Sequence, residues 1–213
     1  QDHGHEHGHA EGDGPLRAAA GRRWRQSCGN AAAKAAALQQ AVPLFFLGYS
    51  LGALLAQSMI GLQGAQPPFQ KQVLFSPAIG LHKHSYLSRH LFFLGERCML
   101  PSFTPVRYKA NHWLPLCVYK VLYEEEKKLL FSNLAGLNFP TLVFMDPKDE
   151  LISYKSLKTL LQQSDLSHWQ LVPLQSSLAG RKVNYHHLII DPQTMGEANW
   201  DMVTETMEKF LFG

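Results

Sequence analysis

The chain has 213 residues, of which 46% are hydrophobic and 17% charged, with a net charge of +3. That length buries a sizeable apolar core in one domain, and so modest a charge supplies no basic stripe for a phosphate backbone, which excludes nucleic acid and favours a small-molecule partner. Three cysteines, Cys28, Cys98 and Cys117, are far apart and lack CxxC spacing, so neither a disulfide framework nor a zinc site is expected.

Residues 1–30 are compositionally separate, with a His/Gly-rich start followed by GRRWRQ, and show no apolar period. They read as a poorly ordered segment ahead of a domain over 31–213. The alternating His3, His5, His7 and His9 are able to chelate a transition metal, and deleting them tests a metal-binding module, but loose tracts of this kind are commonly solvated tails. No metal or cofactor is therefore expected. No window reaches the ~20 apolar residues that cross a bilayer, and no apolar leader is visible, so cytoplasmic residence is the expectation.

An Ala-rich helix is predicted over 31–41. PLFFLG at 43–48 then reads as a strand covered on both faces. The next segment, ALLAQSMIGL, has Leu54, Leu55, Met59 and Leu62 at helical spacing. KQVLF at 71–75, TLVFM after Pro140, and HWQLVPL at 168–174 read as further strands. SYKSLKTLLQQ, with Ser153 as N-cap, and GEANWDMVTETMEKFLF, with Trp200, Val203, Met207 and Phe210 on one stripe, read as helices. Such alternation predicts an α/β protein with a mostly parallel sheet flanked by helices. The interval from about 79 to 138 breaks the alternation and carries Tyr86, Phe92, Phe93, Trp113 and Tyr119. It reads as an inserted helical cap.

Between the first strand and its helix stand Gly48, Tyr49, Ser50, Leu51 and Gly52, a G-x-S-x-G pentapeptide in a strand-to-helix context. The glycines are expected for steric reasons, because the serine of such a turn sits on a strained backbone with its hydroxyl exposed. Ser50 is the candidate nucleophile.

These residues resemble the α/β-hydrolase family, whose triad runs in the order Ser, acid, His, and the likeness covers about 42–213. The family places the acid past the strand after the cap, within G-x-x-D-x-x-V. In FMDPKDELIS that position is Asp149, with Asp146 replacing the glycine and Ile152 the valine; Asp146 is the alternative acid. The base is implied in NYHHLIIDP, as His186 or His187. Many members carry an acidic residue five positions beyond the histidine, and Asp191 stands five beyond His186, which favours His186.

The resemblance implies an acyl-enzyme at Ser50, with the Leu51 backbone N–H as one oxyanion donor. The family's second donor lies in a loop near a His-Gly, and several strands precede its elbow. Only 49 residues precede Ser50, although Gly4-His5 or His7-Gly8-His9 resembles that loop. A truncated N-terminus is thus expected, and with it the alternative of an inactive or non-enzymatic fragment lacking the oxyanion loop. The apolar cap and SPAIG look like lysophospholipase or monoacylglycerol-lipase relatives, which implies a small or acyl-chain ester as substrate and partner.

Overall fold

The computed structural model describes residues 43–63, 67–95, 97–102, 104–109, 111–175 and 185–213. Contacts divide the chain after Leu44, and the unit described here is Phe45–Gly213. The segment 1–30, the expected helix at 31–41 and the histidines of the N-terminal tract lie outside the described residues.

Four short apolar runs become strands whose alternate side chains point to the two faces of a sheet. These are β1 (Phe45–Tyr49), β2 (Lys71–Phe75), β5 (Thr141–Met145) and β6 (Trp169–Pro173). They form one parallel sheet in the order β1-β2-β5-β6, with Leu47 opposite Val73, Val73 opposite Leu142 and Leu142 opposite Gln170. The central two are covered on both faces, but β1 lies at the edge and leaves Leu47 56% exposed, so the expected cover of 43–48 on both faces is not met there. Phe46, Leu74, Val143, Met145 and Leu171 join one apolar cluster, and Phe45, Val73, Leu142, Phe144 and Val172 join the other. The parity of each strand therefore assigns its residues to the two sides.

The helices cover these faces. On the first side lie α1 (Ser50–Gln63), through Ala53, Leu54 and Ile60, then α2 (Leu116–Phe131), through Tyr123 and Leu129, and α3 (Tyr154–Gln163), through Leu157 and Leu161. The buried face of α1 also carries Gln57 and Ser58, which the apolar spacing did not indicate. Gln57 is paired with Gln72, whose Nε2 donates to Thr141 Oγ1 at 2.8 Å, so this buried polar group has its partners. Ser153 caps α3, its hydroxyl accepting from Ser156 N. On the second side, after the short α4 (Pro192–Met195), α5 (Glu197–Phe212) buries Val203 and packs Trp200, Met207 and Phe210 on the stripe expected.

The interval between β2 and β5 carries helices, as expected, together with a strand pair that was not expected. It holds a run of 3-10 turns (Lys83–Leu94), an antiparallel pair of β3 (Met99–Pro101) and β4 (Trp113–Pro115), and only then α2. Pro101, Pro105 and Pro115 lack a backbone donor and disfavour helix in the residues before them, which fits short strand ends and turns instead.

Within this interval Glu126 of α2, which is 1% exposed, ties the helix to the chain that leaves β2. Its Oε1 accepts from Gly80 N and Leu81 N, both at 2.9 Å, and its Oε2 accepts from Tyr86 Oη. Glu126→Ala strands these donors and is expected to cost ~3 kcal/mol of unfolding free energy, with Glu126→Gln costing less. Urea denaturation checks this; an unchanged midpoint contradicts it.

Candidate active site

Two loops and a turn meet at the C-terminal ends of the strands. The turn is the junction of β1 and α1, where Ser50 has φ of 49°, a left-handed conformation that L-residues seldom adopt. A Cβ on Gly48 would lie 3.1 Å from the Ala53 backbone and 2.7 Å from the Phe46 ring, so the close approach of strand and helix requires glycine there. At Gly52 nothing lies within 4 Å of an added Cβ. The expected steric reason thus holds for the first glycine and not for the second. The carbonyl of Ser50 accepts from Ala78 N at 3.1 Å, which ties the turn to the loop after β2.

The acid loop follows β5. Asp149 is buried, and its Oδ1 accepts from Leu151 N at 2.8 Å and Ile152 N at 2.9 Å. These bonds leave Oδ2 aimed at the histidine loop, where His187 Nδ1 lies 2.8 Å away. His187 Nε2 lies 2.8 Å from Ser50 Oγ. A carboxylate only accepts, so the Asp149 contact places the imidazole proton on Nδ1 and leaves Nε2 free to accept from the Ser50 hydroxyl.

The structure therefore brings His187, rather than the favoured His186, to Ser50. His186 turns to a different aspartate, its Nδ1 lying 2.7 Å from Asp146 Oδ2. Asp191, whose spacing favoured His186, is engaged elsewhere. It is the N-cap of α4, with Oδ1 accepting from Thr194 N at 2.8 Å and Oδ2 accepting from Tyr108 Oη at 2.7 Å. Burial works to raise the Asp191 pKa, but the bonds from Tyr108 and Thr194 and the Arg107 charge outweigh it and hold the carboxyl below its ordinary value.

Tyr49 is the variable residue before the nucleophile. Its hydroxyl donates to the His187 carbonyl at 3.2 Å, and its ring lies 5.5 Å from the imidazole between centroids. Burial first, then the charges of Asp149 and Glu150, push its phenol pKa upward, so it stays a neutral donor. Glu150 was not singled out from the sequence. Its Oε1 accepts from His186 N at 3.2 Å and its Oε2 from His187 N at 2.9 Å.

Leu51 is the second residue of α1, so its N–H is one of the first-turn donors without a carbonyl partner inside the helix. Among the described residues no group of three or more His, Cys, Asp or Glu side chains is arranged to hold a metal ion, and no helix is long and apolar enough to cross a membrane.

No protein-family model matches the chain, and no curated protein matches it. Solved structures do. The soluble variant of monoglyceride lipase from Saccharomyces cerevisiae, in complex with a substrate analog, superposes with a TM-score of 0.61 at 13% identity, covering 84% of this chain and 64% of that one. Est1E from Butyrivibrio proteoclasticus gives 0.43 at 12% identity, covering 78% and 62%. A serine hydrolase from Cycloclasticus zankles, a bacterium that degrades polyaromatic hydrocarbons, gives 0.43 at 13%, covering 80% and 65%. The chain spans less than two thirds of the length of these structures, and at such identity the likeness to the lipase is one of fold.

Proposed function

We propose that this chain, which has the α/β-hydrolase fold, is a serine hydrolase of carboxylic esters in which Ser50 is the nucleophile, His187 the base and Asp149 the acid. The observation that carries this reading is the unbroken run from the Ser50 hydroxyl through both nitrogens of His187 to the buried carboxylate of Asp149, 2.8 Å at each step. Each member is held by its own backbone setting: a strained turn, a histidine loop, and an acid loop that occupies the other carboxylate oxygen.

The chemistry follows. Ser50 Oγ attacks the ester carbonyl as its proton passes to His187 Nε2, and Asp149 holds the ring and stabilises the imidazolium. Collapse of the tetrahedral adduct breaks the acyl–oxygen bond. The imidazolium returns the proton to the departing alcohol, and the acyl group stays on Oγ. Water, deprotonated by the same nitrogen, then releases the carboxylic acid and restores Ser50. The Leu51 N–H serves the oxyanion, where a preorganised donor is worth about 100- to 1000-fold in kcat.

The substrate is a small or acyl-chain ester. The apolar insertion supports this, with Leu87, Phe93, Leu94, Val106 and Trp113 exposed on it, and the monoglyceride lipase likeness agrees in kind. A panel of p-nitrophenyl esters from acetate to palmitate, beside a monoacylglycerol, a thioester and an anilide, tests the reading. Turnover of esters well above the anilide is expected. Selective anilide cleavage by the same serine would replace the esterase reading with a peptidase one. A folded chain that turns over none of them would favour the non-enzymatic alternative.

A further inference from the structure

Adjacent histidines each facing a different aspartate pose a problem of register, because a small slide of their loop would break both contacts together. The loop's two relevant N–H groups, of His186 and His187, go to the two oxygens of one carboxylate, Glu150. Hydrogen bonds to an ionised acceptor are the stronger kind, and two from consecutive residues fix both position and orientation. Glu150 is next in sequence to Asp149, so the side chain that holds the base's backbone and the one that orients its ring leave the same short stretch of chain.

That stretch is itself hydrogen-bonded to a third segment. The carbonyl of Leu151 accepts from His82 N at 2.9 Å and from Ser85 Oγ at 3.1 Å. The Asp149 carbonyl lies 3.1 Å from His82 Nε2, and the Glu150 carbonyl lies 2.9 Å from His84 Nε2. Three successive carbonyls of the acid loop are thus held by the segment 82–85, and Glu150 projects from this anchored strip to the histidine loop.

We propose that Glu150 is the positioning residue of the site: its carboxylate takes the N–H groups of His186 and His187 and so registers His187 against Asp149 and Ser50. The inference rests on the hydrolase reading above for its catalytic consequence, though not for the contact itself. Removing the carboxylate leaves nucleophile, base and acid in place chemically and loosens their geometry. Misplacement of order 1 Å in such a site costs about 100-fold in rate.

The test compares wild type with Glu150→Ala and Glu150→Gln, read by steady-state kinetics on a p-nitrophenyl ester, by thermal melting, and by downfield proton NMR of the His187 Nδ1–H. The expected result for Glu150→Ala is a fall in kcat of about 10- to 100-fold, with KM within about threefold and the Nδ1–H resonance shifted or broadened. Glu150→Gln keeps one acceptor oxygen and should recover part of the loss. Two results overturn the proposal: unchanged kcat and resonance in Glu150→Ala, or losses in both variants that track an equal fall in melting temperature, with no recovery by Gln. If the wild type itself turns over no ester, the hydrolase reading fails separately, and the resonance alone decides whether Glu150 sets the ring.

Discussion

Ser50→Ala is expected to abolish ester turnover while the protein stays folded. In triad hydrolases removal of the nucleophile costs about a million-fold in kcat, because no other group can form the acyl intermediate and only binding and oxyanion stabilisation remain. The folded state should tolerate the change. Ser50 pays for a left-handed φ of 49° whichever of the two side chains it carries, and its hydroxyl makes one described contact, to His187. Circular dichroism and melting, run beside the kinetics, separate loss of chemistry from loss of fold. Wild-type turnover in Ser50→Ala would remove this serine from the mechanism.

The second large effect separates the two histidines. His187→Ala removes the acceptor of the serine proton and should cost between about ten-thousand- and a million-fold in kcat. His186→Ala removes a ring whose hydrogen bond runs to Asp146, and should cost less than about tenfold. The double variant Ser50→Ala/His187→Ala should be no slower than either single one, because residues that act as a unit do not add. Loss confined to His186→Ala would restore the assignment that sequence spacing suggested and contradict the geometry.

The choice between His186 and His187 lay beyond any local signal in the sequence. The strands and the elbow were legible because their signals are local: Gly48 answers a close contact five residues on, and each strand is a short continuous apolar run. The resemblance pointed to Asp149 in a loop after a strand, and the structure sets its carboxylate 2.8 Å from His187 Nδ1. Which histidine faces Ser50 is settled by long-range register between two loops, and adjacent identical residues carry no local mark of it. Asp191, read as a pointer to His186, turned out to be an N-cap, a role that Asp fills wherever a helix begins.

Charged residues carried no local signal either. Glu126 sits in the charged run Glu124–Lys128, where nothing local marks it as the buried member that ties α2 to the chain after β2. Glu150 stands beside Asp149 in a loop full of charge, where nothing but the fold shows that its oxygens meet two backbone donors from residues 36 and 37 positions later. The β3–β4 pair was missed because strands of three residues ending in proline are too short to show a period of two.

The measurement that tests the central claim most directly is covalent labelling of the wild-type chain with a fluorophosphonate, followed by intact-mass analysis and mapping of the modified peptide. The account predicts one adduct, on Ser50, that forms readily in wild type and is absent from Ser50→Ala and strongly slowed in His187→Ala. A folded protein that remains unmodified, or that carries its adduct on another residue, would contradict it.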